Sequence, residues 1–313
     1  MVRAMALVLD TEHSGSCHPC FNSRVRHRYG RIHLPVAPSC NIRCTYCARN
    51  HACVNESRPG VTRALLDPEG ALEYLERNLR AMPFIKVVGI AGPGDPLCEA
   101  TRTLETLQLV RRVYPNLHLC LSTNGLSLPE HLRELALLGV RYLTVTVNAV
   151  DPQIGAGMIE SVEWQGETLQ GRQGAEQLVE NQILALEALR GWGMMVKVNT
   201  VVVPGINDGH VIAVASQMAR LGVSLMNIIG VIPVAGTPLE GMAPPTAGML
   251  AHLRTAAEAF VPQMRHCARC RADAAGMLPE QFSMIAPRDD ASRQIPSTFR
   301  SQSLSGCPDL LPY

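Results

Sequence analysis

Short apolar, β-rich runs alternate six times with amphipathic helical stretches along this chain, and that alternation limits its fold more than any other feature. The runs His33–Ala37, Ile85–Ala91, Leu117–Ser122, Tyr142–Val147, Val196–Val203 and Leu225–Val231 read as strands. Helical patterns fall at about 68–82, 101–113, 129–138, 175–190, 210–221 and 246–260. In the fourth, Val179, Ile183 and Leu186 recur at steps of four and three, the stripe of a helix packed on a sheet. Strands apolar on both faces and separated by helices make parallel βαβ units. Six such units predict an α/β fold, an open or partial (β/α)6 TIM-like barrel, with a doubly wound sheet as the alternative. In either architecture active groups belong at the C-terminal ends of the strands. The segment 151–174 is too polar and Gly-rich for a barrel wall and reads as an active-site loop. The division expected is an N-terminal extension at 1–32, the barrel at 33–279, and a tail at 280–313 whose Ser, Pro and charge predict disorder.

A net charge of +1, from 28 basic against 27 acidic side chains, is a poor basis for nonspecific binding to nucleic acid or a membrane surface. Aromatics at 4% are too few for base-stacking platforms. No apolar run approaches the roughly 18 residues of a membrane span. The N-terminus MVRAMALVLDTEH has only a short apolar stretch and no clean cleavage site, so no signal peptide is read. The expected location is the cytoplasm, with neither nucleic acid nor membrane as partner. Eleven cysteines in such a chain point to metal or redox chemistry rather than structural disulfides, the bland alternative being buried free thiols.

Spacing decides. Directly after the first strand comes Cys40-Asn-Ile-Arg-Cys44-Thr-Tyr-Cys47. Three thiolates on one short loop can hold three corners of a cubane iron–sulfur cluster, leaving one iron open to a ligand that is not protein. Zinc would want a fourth tight ligand. The spacing, the aromatic before the last cysteine and the position after a first strand resemble the radical S-adenosylmethionine (radical SAM) superfamily. That resemblance implies a [4Fe-4S] cluster on Cys40, Cys44 and Cys47, with the amino and carboxylate groups of S-adenosylmethionine on the open iron. One electron from the cluster would then cleave the sulfonium to a 5′-deoxyadenosyl radical.

Further motifs fall at strand ends. Ala91-Gly92-Pro-Gly94-Asp95-Pro resembles the superfamily's Gly-rich amino-group-binding motif, where glycines admit a ligand and Asp95 or carbonyls accept from an ammonium. Ser122-Thr-Asn124-Gly, Thr146-Val-Asn148, Lys197-Val-Asn199 and Val231–Val234 lie on or after the later strands. Each alone reads as a turn; together they favour a cofactor-lined mouth. The cofactor-binding candidates are therefore Gly92, Gly94, Asp95, Ser122, Asn124, Asn148, Lys197 and Asn199.

Outside the loop, Cys17-His-Pro-Cys20, Cys53, Cys120 and Cys267-Ala-Arg-Cys270 supply six more thiols in suggestive settings, while Cys98 and Cys307 fit no pattern. Six thiols make two groups of three, each leaving iron for His, solvent or another cluster. The stretches His33-Leu-Pro-Val-Ala-Pro, Cys40–Cys47, Cys53-Val-Asn55-Glu56-Ser-Arg58-Pro59-Gly-Val and Cys267-Ala-Arg-Cys270-Arg-Ala-Asp273-Ala are similar to the NifB family of nitrogenase cofactor maturases, from about Cys17 to Gly276. That resemblance implies fusion of two [4Fe-4S] substrate clusters into an [8Fe-9S-C] core. One S-adenosylmethionine gives a methyl group, a second the hydrogen-abstracting radical, and an extra sulfur is added.

By the same resemblance Cys20, Cys120 and His33 go to one substrate cluster, and Cys17, Cys53, Cys267 and Cys270 to the other region. A lone His on a strand is more often a core residue, but imidazole is a reasonable iron ligand. The other histidines are left as surface or core, although His18 and His266 adjoin ligand cysteines. Glu56 and Arg58 are either an exposed ion pair or catalytic groups that transfer a proton and hold an anion. Implied partners are an iron–sulfur cluster donor, a ferredoxin or flavodoxin reductant, and a separate cofactor carrier or scaffold, since nothing after residue 280 reads as the family's carrier-like domain. Two other functions stay open: a radical enzyme on an organic substrate with one auxiliary cluster, and an iron–sulfur scaffold that turns nothing over.

Overall fold

The computed structural model describes residues 16–48 and 59–278. Cys53, Glu56, Arg58, Cys307 and the tail beyond 278 lie outside the described residues. In chain order the elements are β1 (Gly30–His33), β2 (Ile42–Cys44), α1 (Pro68–Ala81), β3 (Ile85–Ile90), α2 (Ala100–Val113), β4 (His118–Thr123), α3 (Leu128–Leu137), β5 (Val140–Thr146), α4 (Pro152–Gly155), β6 (Ile159–Trp164), β7 (Glu167–Gln170), α5 (Gly171–Ala188), β8 (Met195–Val202), α6 (Val211–Arg220), β9 (Leu225–Gly230), α7 (Ala247–Ala257) and β10 (Ala275–Gly276).

The main sheet has the order β10-β1-β3-β4-β5-β8-β9. The six strands from β1 to β9 run parallel, each next to the one before it in the sheet and joined through helices, so the expected partial (β/α)6 barrel is what forms. Local chemistry sets the helices. Asp67 accepts from Gly70 N at 2.7 Å, Pro68 stands in the first turn, and α1 then buries Ala71, Tyr74, Leu75 and Asn78. In α5 the stripe read from the sequence is real: Val179 and Leu186 are buried and Ile183 packs on the core. That core fills the space between sheet and helices, with Ile32, Val88, Leu119, Leu143 and Val198 wholly inaccessible.

Two expectations are corrected. The first strand ends at His33 instead of running to Ala37, because Pro35 and Pro38 have no N–H to give a ladder. His33 therefore stands at the strand's C-terminal end. Segment 151–174 is not a loop: it forms α4 and the hairpin of β6 and β7, and β6 pairs with β2 inside the cysteine loop itself. Gln165 and Gly166, at φ 51° and 83°, make the two-residue turn whose twist suits a hairpin.

The edge strand β10 runs antiparallel to β1 and docks the segment that carries Cys267 and Cys270. Arg271 pairs with the fully buried Asp273 at 2.8 Å, and Asp273 accepts from Arg63 N while its carbonyl accepts from Tyr74 Oη. Among the described residues no helix is long and apolar enough to cross a membrane.

Candidate functional site

The three loop cysteines, Cys40, Cys44 and Cys47, are half-buried thiols outside any disulfide, and they line one cavity of about 290 Å3. Pairing of Ile42–Cys44 with β6 pins the middle of the loop, and Cys47 N donates to Cys44 O at 3.2 Å. Gly94, Asp95, Ser122, Asn124, Asn148 and Asn199 share the cavity wall, each at or beside a C-terminal strand end. Gly92 and Lys197 do not line it.

The wall is held by polar side chains that are themselves saturated. Asp95, 5% exposed, accepts from Leu97 N at 2.9 Å, from Thr123 Oγ1 at 2.9 Å and from Asn124 N at 2.5 Å. Burial raises its pKa, and those three donors pull it back down in part. Its role in this geometry is a latch between the ends of β3 and β4. Asn124 passes the tie on, donating from Nδ2 to Asn41 Oδ1 at 2.7 Å and toward Cys40 Sγ at 3.8 Å. Gln182 on α5 donates to the carbonyls of Asn124 and Thr146. Asn148 donates to Tyr46 Oη at 2.8 Å and accepts from Val201 N. Burial pushes the Tyr46 phenol up, so it stays neutral beside the cysteines.

Gly94 shows why a glycine stands in the motif after β3. A Cβ there would lie 2.0 Å from the Ser39 carbonyl, and Gly94 N and Asp95 N donate to Ala37 O and Ser39 O. The motif is thus laid backbone to backbone against the chain entering the cysteine loop. The donor set fits the superfamily's cofactors: three thiols from one loop for a [4Fe-4S] cluster, and beside them a mainly apolar cavity with polar groups at Ser122, Thr123, Asn124 and Asn148 for a nucleotide ligand.

The other cysteines meet in a second place. Phe21, Tyr142, Leu225, Met264 and Leu278 form a separate apolar cluster, against which Cys20, Cys120, Cys267 and Cys270 pack. Burial pushes the Cys20 thiol up to about 11 and Cys120 up to about 12, with Lys197 the chief opposing charge on each. His33 and Cys120 flank Gly89 across β1, β3 and β4; a Cβ on Gly89 would sit 3.2 Å from the imidazole and 3.7 Å from the Cys120 side chain. Glycine keeps the gap between them open. His33 Nδ1 lies 3.0 Å from the Arg271 carbonyl, which fixes its proton there and leaves Nε2 as a lone pair. Burial lowers its pKa to about 4, so the ring is neutral, the form that binds metal.

His18 is the mirror case. Cys20 N donates to its Nδ1 at 3.1 Å, which places the proton on Nε2, a buried donor with no partner among the described residues. Cys17, 2% exposed, is joined in a disulfide. Among the described residues no three His, Cys, Asp or Glu side chains draw to the spacing of a single metal ion.

Several residues here were not legible as functional. Arg31, wholly buried on β1, donates from Nη2 to Cys270 Sγ at 2.9 Å and from Nη1 to Gly276 O at 2.6 Å. Asn227 on β9 donates to Cys267 Sγ at 3.3 Å and to Asn199 Oδ1 at 3.0 Å. Arg269, in left-handed backbone at φ 51° between two cysteines, lines the cavity of the trio. The signal available for Arg31 and Asn227 was a polar residue inside an apolar strand. Through Asn199, Asn227 and Arg269 the cavity and the thiol cluster share a wall.

A model of the radical SAM superfamily matches residues 34–218. A protein described as FeMo cofactor biosynthesis protein NifB, from Chlorobaculum tepidum, is 48% identical over 84% of this chain and 62% of its own length. The protein of that description from Klebsiella pneumoniae is 43% identical over 90% of this chain and 61% of its own length. That from Methanocaldococcus jannaschii is 43% identical over 86% of this chain and 89% of its own length. The chain thus spans less than two thirds of the first two relatives and most of the third. Among solved structures, Streptococcus suis SuiB bound to S-adenosylmethionine superposes with a TM-score of 0.50 at 15% identity, over 74% of this chain and 49% of that one; the likeness is one of fold.

Proposed function

The chain belongs to the NifB family of the radical SAM superfamily, and from that premise we propose that it builds the iron–sulfur core of the nitrogenase cofactor. In this reading two [4Fe-4S] clusters are the substrate and leave as one [8Fe-9S-C] product with an added carbon and sulfur. The observation that carries it is the shared wall: Asn227 reaches both Cys267 of the thiol cluster and Asn199 of the trio's cavity. A cavity for S-adenosylmethionine beside a buried nest of thiols suits chemistry on a cluster better than a scaffold that turns nothing over.

Cys40, Cys44 and Cys47 would hold the resident [4Fe-4S] cluster, which with S-adenosylmethionine supplies methyl transfer and one-electron hydrogen abstraction. The residues around it orient and exclude water. Asp95 locks two strand ends, Asn124 aims a donor at Cys40, and Tyr46 and Asn148 close the far side. On the substrate side, Cys20, Cys120 and His33 would take one cluster, and Cys17, Cys53, Cys267 and Cys270 the other. Cys17 can serve only after its disulfide is reduced, so assembly under reducing conditions belongs to the proposal. Glu56 and Arg58 are assigned proton transfer and anion binding. The reaction calls for a cluster donor, a ferredoxin or flavodoxin reductant and a carrier for the product, in the reducing cytoplasm.

The test is anaerobic reconstitution followed by S-adenosylmethionine and reductant. The expected products are 5′-deoxyadenosine and S-adenosylhomocysteine, with about twelve irons per chain before reaction; a radical enzyme with one auxiliary cluster would hold about eight, and a scaffold would release neither nucleoside.

A further inference from the structure

Lys197 is a lysine of β8, only 7% exposed, in an apolar place. Its ammonium lies 5.4 Å from the centre of the Phe21 ring and 4.0 Å from the Met264 sulfur, and the described residues give it no carboxylate. It is not part of the wall of the trio's cavity. A buried, unpaired ammonium costs several kcal/mol unless an anion comes to meet it.

Four side chains share its field: His18, together with Cys20, Cys120 and His33, which come from the N-terminal segment, β4 and β1. The last three are assigned above to one substrate cluster. Binding iron turns Cys20 and Cys120 into thiolates and brings sulfide corners with them, all inside the apolar packing of Phe21, Tyr142 and Met264. Arg31, the other buried cation nearby, already donates to two carbonyls and to Cys270. Lys197 has no oxygen to bond among the described residues.

We propose that Lys197 is the built-in counter-charge of the substrate-cluster site, a positioning residue that holds an anionic cluster on Cys20, Cys120 and His33, and not a contact to S-adenosylmethionine. The inference rests on the cluster-fusion reading above. The ammonium compensates the two thiolates, favours each electron added to the cluster, and stands where a cluster sulfide can accept a hydrogen bond. His18 adds a second donor to the same space, because its Nε2–H is buried without a partner among the described residues.

The test uses the full chain, reconstituted without oxygen, as wild type, K197M and K197R. Methionine keeps the stem's length and its packing on Phe21 without the charge; arginine keeps the charge. Iron release to a chelator is followed together with the midpoint potential of the substrate clusters by EPR-monitored titration. K197M is expected to lose substrate iron roughly tenfold faster, equivalent to about 1.4 kcal/mol, and to shift the midpoint to a more negative value. K197R restores both, which a packing role alone would not give. Iron on Cys40, Cys44 and Cys47 and the near-ultraviolet circular dichroism report whether K197M is folded. Equal release and equal midpoints in folded K197M overturn the proposal, as does a loss of S-adenosylmethionine affinity with substrate iron intact. A wild-type chain that takes up only the trio's four irons, about one cluster, sinks the cluster-fusion reading instead.

Discussion

The two thiol-bearing regions are built on opposite principles. Around Cys40, Cys44 and Cys47 the thiols come from eight consecutive residues, and a saturated polar network, Asp95 to Thr123 and Asn124 to Asn41, ties together the strand ends of a mainly apolar wall. Around Cys20, Cys120, Cys267 and Cys270 the thiols converge from three distant parts of the chain onto an apolar cluster, with cations and donors left for an occupant. The first region is preorganised to orient a ligand it keeps. In the proposed function, the second stores unmet polarity for a cargo that arrives and leaves.

The largest expected effect separates the two directly. Replacing Cys40, Cys44 and Cys47 together by serine abolishes 5′-deoxyadenosine formation to background while the distant thiols keep their iron. Cys20→Ser with Cys120→Ser does the reverse, lowering iron while nucleoside release persists. Product analysis and iron assay on the same samples decide; iron lost from both regions in either variant would merge them into one site.

Next comes the latch. Asp95→Ala strands two backbone N–H groups and the Thr123 hydroxyl in a buried place and should cost about 3 kcal/mol, read from urea midpoints. A loss under about 1 kcal/mol would mean that water replaces the carboxylate, and the preorganised wall would be the wrong description.

A smaller effect sharpens the shared wall. Asn227→Leu removes the bond to Cys267 and the bond to Asn199, for about 1–2 kcal/mol of stability. It should uncouple the two regions, with 5′-deoxyadenosine still released and less fused cluster formed per nucleoside. Unchanged coupling would deny the wall a role.

How much of this was legible follows the same division. The trio, the Gly-Pro-Gly-Asp turn and the asparagines at strand ends are short local runs, so their placement could be read from residue order. The helices lie within a few residues of their expected spans because their stripes are periodic. The β6–β7 hairpin was missed because Gln165-Gly166 lacks the usual Asn-Gly signal and the flanking strands are polar on one face. The docking of Cys267 and Cys270 beside β1 was not legible either. It depends on Arg31, Asp273 and Arg271, whose partners are up to 246 residues away. Lys197 reads from the sequence as a nucleotide contact on the fifth predicted strand; its burial against Phe21 and Met264 is what the structure adds.

The mildest prediction lies outside both regions and serves as a baseline. Val150 N donates to His210 Nε2 at 3.2 Å, and burial holds that imidazole below its ordinary 6.5. The folded chain resists the proton, so the contribution is whole above 6.5 and is lost as pH falls below it. His210→Gln should flatten the melting temperature slightly between neutral and mildly acidic pH; an unchanged slope would contradict the assignment.

The central claim, one resident site and one cargo site side by side, is tested most directly by counting iron with Mössbauer spectroscopy before and after S-adenosylmethionine. The account predicts about twelve irons as separate cubanes at first, with about four on the trio unchanged and about eight converted to a single new species. Iron that all responds alike, or none beyond the trio's four, would contradict it.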